Sequence, residues 1–132
     1  MTVVNPAGVR KVGGYSHALV RTGTPVFLTG QVAWDVDGAV VGAGDIDTQL
    51  ERVWANVVAV LADLGAGLED VVKLTTYATD PRHMAAIGAA KQRRFDPDRM
   101  PASTFLVVAA LAHPDLLVEI DVVAVLPEGG AG

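Results

Sequence analysis

The chain contains no cysteine, which removes a disulfide framework, a thiolate nucleophile and any cysteine-based zinc site together. Aromatic residues are scarce, at 5 % of 132 residues, and there are 3 histidines. His17, His83 and His113 lie far apart with no partner at ligand spacing, so no metal centre is expected. Hydrophobic residues make up 51 % of the chain, yet no run approaches the roughly 20 apolar residues that a membrane span requires. The first residues lack a basic leader followed by an apolar stretch, which predicts a cytoplasmic protein. Positive charge is also short: Lys and Arg number 10 against 15 Asp and Glu, for a net charge of -5, and a body of that sign repels a phosphate backbone. The one basic cluster, Lys91, Arg93 and Arg94 with Arg99 beyond, falls on a predicted helix and reads as a solvated face, so nucleic acid is not an expected partner. Covalent catalysis has no support either. Ser16, Ser103 and Thr104 are not set in a Gly-x-Ser-x-Gly elbow, and Gly42-Ala43-Gly44 lacks the third glycine and the lysine of a phosphate loop.

What is present is apolar material for one core, and a single domain over 1–132 is expected, with an N-terminal arm at 1–12 and a tail at 128–132. Residues 18–21 and 26–32 read as strands, joined as a hairpin at Thr22-Gly23-Thr24-Pro25, where glycine and proline supply turn dihedrals. Asp35-Val36-Asp37-Gly38 makes a second turn before a short strand at 39–41. Ile46, Leu50, Val53, Val57, Leu61 and Leu64 recur every three or four residues and form one stripe of a helix over 47–64. Trp54 and Val58 extend the stripe as core. Asp45 or Asp47 can cap its start, and Gly65 or Gly67 its end. A strand rich in β-branched residues at 71–79 ends at Asp80-Pro81, and a second helix is predicted over 83–95, with Met84, Ile87, Lys91 and Phe95 on one side. Two apolar strands close the chain at 103–111 and 116–126.

Two helices cover one face of about six strands, which makes this an α+β chain whose other sheet face needs a partner. The last two strands look apolar enough to be buried on both faces, and a second copy of the chain is the simplest cover.

Six segments carry a family resemblance: Gly14-Tyr15-Ser16-His17-Ala18, Leu28-Thr29-Gly30-Gln31, Gly44-Asp45-Ile46, Asp70-Val71-Val72-Lys73, Pro101-Ala102-Ser103-Thr104 and Leu117-Val118-Glu119-Ile120. In order and spacing, from about residue 13 to 127, they resemble the RidA/YjgF family of reactive-intermediate deaminases. The resemblance implies a chorismate-mutase-like fold: a mixed six-stranded sheet with two helices on one face, trimerising through the other. It also implies three small-molecule clefts between the subunits of the homotrimer, and hydrolysis of enamines or imines without metal or organic cofactor.

The chain departs from that pattern at two places. Deaminating members carry an arginine after Pro-Ala, where this chain has Ser103, and a hydroxyl cannot reproduce the two parallel hydrogen bonds of a guanidinium to a carboxylate. Some carry an asparagine where this chain has Gly88. Both changes shorten a side chain, which predicts a wider and less positive cleft, with Phe105 on the same strand face as Ser103 to refill it or wall it. Arg21 and Arg99 are the candidates to replace the missing cation. Tyr15, Thr29, Gly30, Gln31 and Glu119 match positions the family uses, and Thr104 supplies backbone groups nearby. His17, two residues from Tyr15, reads as a hydrogen-bonded interface histidine and is a further candidate for the same cleft. Glu119 shares a strand face with Asp121, and it is either the candidate catalytic group, a carboxylate of raised pKa that positions or activates water, or a structural hydrogen-bond acceptor at the interface. The alternatives are a non-catalytic binding trimer and, with the acidic charge against it, an RNA-cleaving or translation-inhibiting protein.

Overall fold

The computed structural model describes residues 1–128. The elements run β1 (Thr2–Val4), β2 (Ala18–Val20), β3 (Gly23–Phe27), α1 (Ile46–Asp63), β4 (Val71–Ala78), α2 (Met84–Gln92), β5 (Ala102–Val107) and β6 (Val118–Pro127). Four strands form a mixed sheet in the order β3-β6-β4-β5, with β4 and β5 parallel and the other pairs antiparallel, while β1 and β2 form a separate antiparallel pair. The six strands are therefore divided between two sheets. Residues 129–132 of the expected tail lie outside the described residues.

Helix α1 forms where its signals fall. The Asp45 carboxylate accepts from the Thr48 backbone N–H at 3.2 Å and from its hydroxyl at 2.8 Å, which satisfies an orphan donor at the helix start and lowers the Asp45 pKa. At the other end Gly65 adopts φ 70° while Ala66 donates to Leu61 and Gly65 to Ala62, the paired bonds of a left-handed helix stop. Leu50, Val53, Trp54, Val57 and Leu61 are buried in a cluster with Leu74 and Ala78 of β4, Val118, Ile120, Val122 and Ala124 of β6, and Ile87 and Ala90 of α2. Both helices thus lie on one face of the sheet. Leu64 and Val58, placed on the stripe by spacing, are 39 % and 45 % exposed; Val58 sits at the margin of the arc that reaches the sheet, and Leu64 is the cap residue just beyond the end of the helix.

The expected hairpin at residues 18–32 does not form. Strand β2 pairs with β1, Thr2 opposite Val20, whereas β3 pairs with β6, Gly23 opposite Pro127. The turn residues have other uses: Gly23 (φ 153°) lets the backbone approach the Leu126 carbonyl, where a Cβ would collide, and Pro25 occupies an edge strand, where its missing N–H is tolerated. The N-terminal arm is partly a strand, because residues 2–4 give β2 its partner.

The strand expected to reach residue 32 loses its regular ladder after Phe27. Leu28 donates to Val122, but the next contact is the mutual bonding of Gln31 with Ile120. Three residues span on this side what two span on β6, so Thr29 and Gly30 form a bulge. The expected strand at 39–41 reduces to one bridge between Trp34 and Val40, held by Asp35 Oδ1 accepting from Asp37 and Ala39 at 2.9 Å. Helix α2 ends at Gln92 rather than 95, and β5 at Val107 rather than 111.

Strand β6 is not buried on both faces within one chain. Val118, Ile120, Val122 and Ala124 point into the core, and Glu119, Asp121, Val123 and Val125 face the other way, partly exposed. On β5, Thr104, Leu106 and Val107 are exposed.

Candidate functional site

The family positions divide between the two faces of the sheet. On the helix face, β5 and α2 enclose a cavity of about 550 Å³ whose outer wall is the segment 12–15. Ser16 bridges to Ala102, and its N–H donates to the Pro101 carbonyl at 3.2 Å, so this segment runs along the free edge of β5. Tyr15, Gly88, Ser103 and Phe105 all line the cavity. Ser103 and Phe105 reach it together because they stand opposite Leu74 and Thr76 on the inward side of β4. A Cβ at Gly88 would meet nothing within 4 Å, so that position opens into free space.

The Tyr15 hydroxyl is engaged by the arm: it donates to the Arg10 carbonyl at 3.2 Å and accepts from Val12 N–H at 3.3 Å. Its ring meets His17 edge-on at 5.3 Å. His17 is not among the cavity's lining residues; its Nε2 lies 2.8 Å from the Arg10 carbonyl and its N–H donates to Asn5 Oδ1 at 2.9 Å. The histidine ties the arm down.

Neither arginine proposed to replace the missing cation is at the cavity. Arg21 pairs with Asp70 at 2.8 Å, both side chains largely covered, and Arg99 lies 3.7 Å from Asp96. The cation in the cavity is Lys91, whose ammonium donates to Ser103 Oγ at 3.2 Å. Burial pushes its pKa below the ordinary lysine value. The basic run is thus dispersed, with Lys91 turned inward and Arg94 paired with Glu51 at 3.1 Å and lying 5.6 Å from the Trp54 ring. A signal for Lys91 was present in the sequence: it stands three residues after Gly88 and seven after Met84, on the same helical face.

The other set lies on the opposite face of the sheet. Glu119, Asp121 and Tyr77 are neighbours on β6 and β4, with Tyr77 Oη donating to Asp121 Oδ2 at 3.2 Å. Burial and then the nearby Asp121 charge raise the Glu119 pKa; Asp121 foremost raises that of Tyr77. Gly30, in the bulge, is pressed against both carboxylates, and a Cβ there would lie 2.7 Å from Asp121 Oδ1 and closer still to Glu119. Gln31 follows it in the ladder, its side chain donating to the Thr29 carbonyl at 3.2 Å. Thr104 also faces this side and accepts from Lys73 Nζ at 2.7 Å. No group of three or more metal-ligating side chains occurs among the described residues, and none of their helices is long and apolar enough to cross a membrane.

Buried Gln49 carried no sequence signal beyond its place in the helix. Its amide donates to the Gly42 and Asp115 carbonyls at 3.1 and 2.7 Å and accepts from Leu117 N–H at 2.9 Å. This fully satisfied group fixes the entry to β6 and hence the position of Glu119.

A mixed sheet carrying two helices on one face is the fold of the Rid proteins. The chain matches a Yersinia pestis protein of unknown function from the conserved Rid family, YyfB, with a TM-score of 0.84 and 39 % identity over 95 % of this chain and 98 % of that one. It matches RidA of an Antarctic Psychrobacter with a TM-score of 0.71 and 28 % identity over 96 % and 99 %. In sequence, a RutC family protein of Synechocystis is 40 % identical over 117 residues, 88 % of each chain. The family described as Endoribonuclease L-PSP matches residues 7–126. The chain belongs to this family, the RidA/YjgF family.

Proposed function

We propose that this is a RidA-like, cofactor-independent hydrolase of a small enamine or imine, working as a cytoplasmic homotrimer in clefts between its subunits. The observation that carries the reading is the division of the site. Tyr15, Gly88, Ser103 and Phe105 lie on one face of the sheet and Gly30, Thr104 and Glu119 on the other. One chain cannot apply both sets to one small molecule, whereas a ring of copies sets the cavity edge of each against the Glu119 face of the next.

In that cleft Glu119 is the general base. Water attacks the imine carbon while the carboxylate takes its proton, and the proton is passed to the nitrogen of the tetrahedral adduct. Glu119 then takes the hydroxyl proton of the adduct and delivers it to the same nitrogen as the C–N bond breaks, releasing ammonia and leaving a carbonyl. The upward shift of the Glu119 pKa, from burial and the Asp121 charge, makes the carboxylate a better proton acceptor for the first half of that transfer.

Ammonia release from freshly generated 2-iminopropanoate tests the reading. Wild-type turnover that falls by about 100-fold or more in Glu119→Gln is expected for loss of a general base. No release from this or from 2-aminoacrylate overturns it in favour of binding without turnover, the second reading, which Ser103 in place of the arginine favours.

A further inference from the structure

The cavity between α2 and β5 holds one cationic side chain and no carboxylate. Its walls are otherwise apolar or neutral, including Val12, Ile87, Ala89 and Phe105. Lys91 takes part in no ion pair among the described residues, and the hydrogen bond its ammonium makes there is to Ser103 Oγ. An ammonium partly withdrawn from water with no counter-ion is costly to keep, and its cost is relieved by an anion that enters beside it.

We infer that Lys91 and Ser103 together form an anion anchor, and that the cavity takes a ligand with one carboxylate on a short apolar body. The ammonium keeps two N–H groups free after its bond to Ser103, and the Ser103 hydroxyl, acting as acceptor in that bond, keeps its own hydrogen free. The pair offers two converging donors, one charged, to the two oxygens of a carboxylate, as a guanidinium would from one side chain. Gly88 leaves room beside the pair for the ligand's apolar part. The lowered pKa of Lys91 fits the same picture, because the burial that disfavours its charge is offset by an anion beside it. A compact dianion suits the cavity poorly, since one ammonium leaves half its charge unmatched between apolar walls.

This inference rests on the reading of the cavity as part of the ligand site and names the ligand's chemistry. It is tested by calorimetric titration of the full chain with 4-methylpentanoate and with its neutral amide. Wild type is expected to bind the acid more tightly than the amide. Lys91→Met is expected to weaken the acid by about tenfold or more and to leave the amide unchanged, while Lys91→Arg keeps acid affinity within roughly threefold. Gly88→Leu, which fills the cavity, is expected to weaken both. Should Lys91→Met fail to fold by near-ultraviolet circular dichroism, Lys91→Gln takes its place.

No binding of the acid by wild type, an unchanged acid affinity without the lysine, or equal loss of acid and amide each overturns the anchor. Titration needs no turnover, so the two readings fail separately. Lysine-dependent binding without ammonia release from any imine sinks the hydrolase and leaves the anchor. Ammonia release with a KM indifferent to Lys91→Met does the reverse.

Discussion

The two faces of strand β6 divide labour within ten residues. Its inward side, Val118, Ile120, Val122 and Ala124, is at most 1 % exposed and carries the packing against α1; its outward side puts Glu119 and Asp121 together on a face that one chain leaves partly open. Like charges on adjacent outward positions repel, which is tolerable only because the inward positions hold the strand in place. The packing residues and the carboxylates thus alternate along one segment, and a one-residue slip would exchange them.

The largest expected effect breaks the inward side. Ile120→Ala removes most of a fully buried side chain and is expected to lower stability by about 2–5 kcal/mol, read as a reduced denaturant midpoint with an unchanged slope. Next comes Gln49→Ala, which strips partners from two carbonyls and one N–H and is expected to cost about 1–3 kcal/mol for a group left unsatisfied. If the loops refill with water, the loss is smaller and hydrogen exchange at Leu117 rises instead, which separates the two outcomes.

Gly30→Ala is expected to act on the outward side. Its Cβ collides with the Glu119 carboxylate, so the bulge or the acid must move, for roughly 1–3 kcal/mol of strain and a loss of whatever activity depends on Glu119. The smallest effect sharpens the contrast by pH. Because the folded-state pKa of Glu119 is raised, the fold favours its protonated form, and stability falls as pH climbs from the ordinary glutamate range through the raised value. Glu119→Gln is expected to lose that segment of the pH profile and to be slightly more stable than wild type above it, a difference that solvent keeps small. Parallel thermal melts from pH 4 to about 8 would show it; a wild type that gains on the variant as pH rises would mean that the carboxylate is held ionised.

The helix-bearing half of this division was legible in the sequence. The Asp45 cap, the glycine stop and the spacing of Leu50, Val53, Val57 and Leu61 are local signals, and they place α1 nearly to the residue. The strand pairings of the first third were not, because Gly23 and Pro25 carry the same letters whether they make a turn or a close approach and an edge. Ser103, Gly88, Phe105 and Tyr15 were readable as neighbours through strand alternation and the family resemblance. Lys91 was readable as sharing a helix face with Met84 and Ile87, but only the docking of α2 on β5 turns that face onto a cavity. That Glu119 and the cavity lie on opposite faces follows from strand register, which pattern alone leaves open.

Pro25 and Ser16 stand at the two margins of the four-stranded sheet, one without an N–H to offer and the other already bonded beside β5. Unsheathed strand edges are where amyloid-like stacking begins, and here β3 is blunted at its middle and β5 at its start. For a chain with 51 % apolar residues, the proposed assembly through the open face rather than the margins would steer away from endless fibres, because face-to-face contacts can close on themselves while edge-to-edge pairing need not.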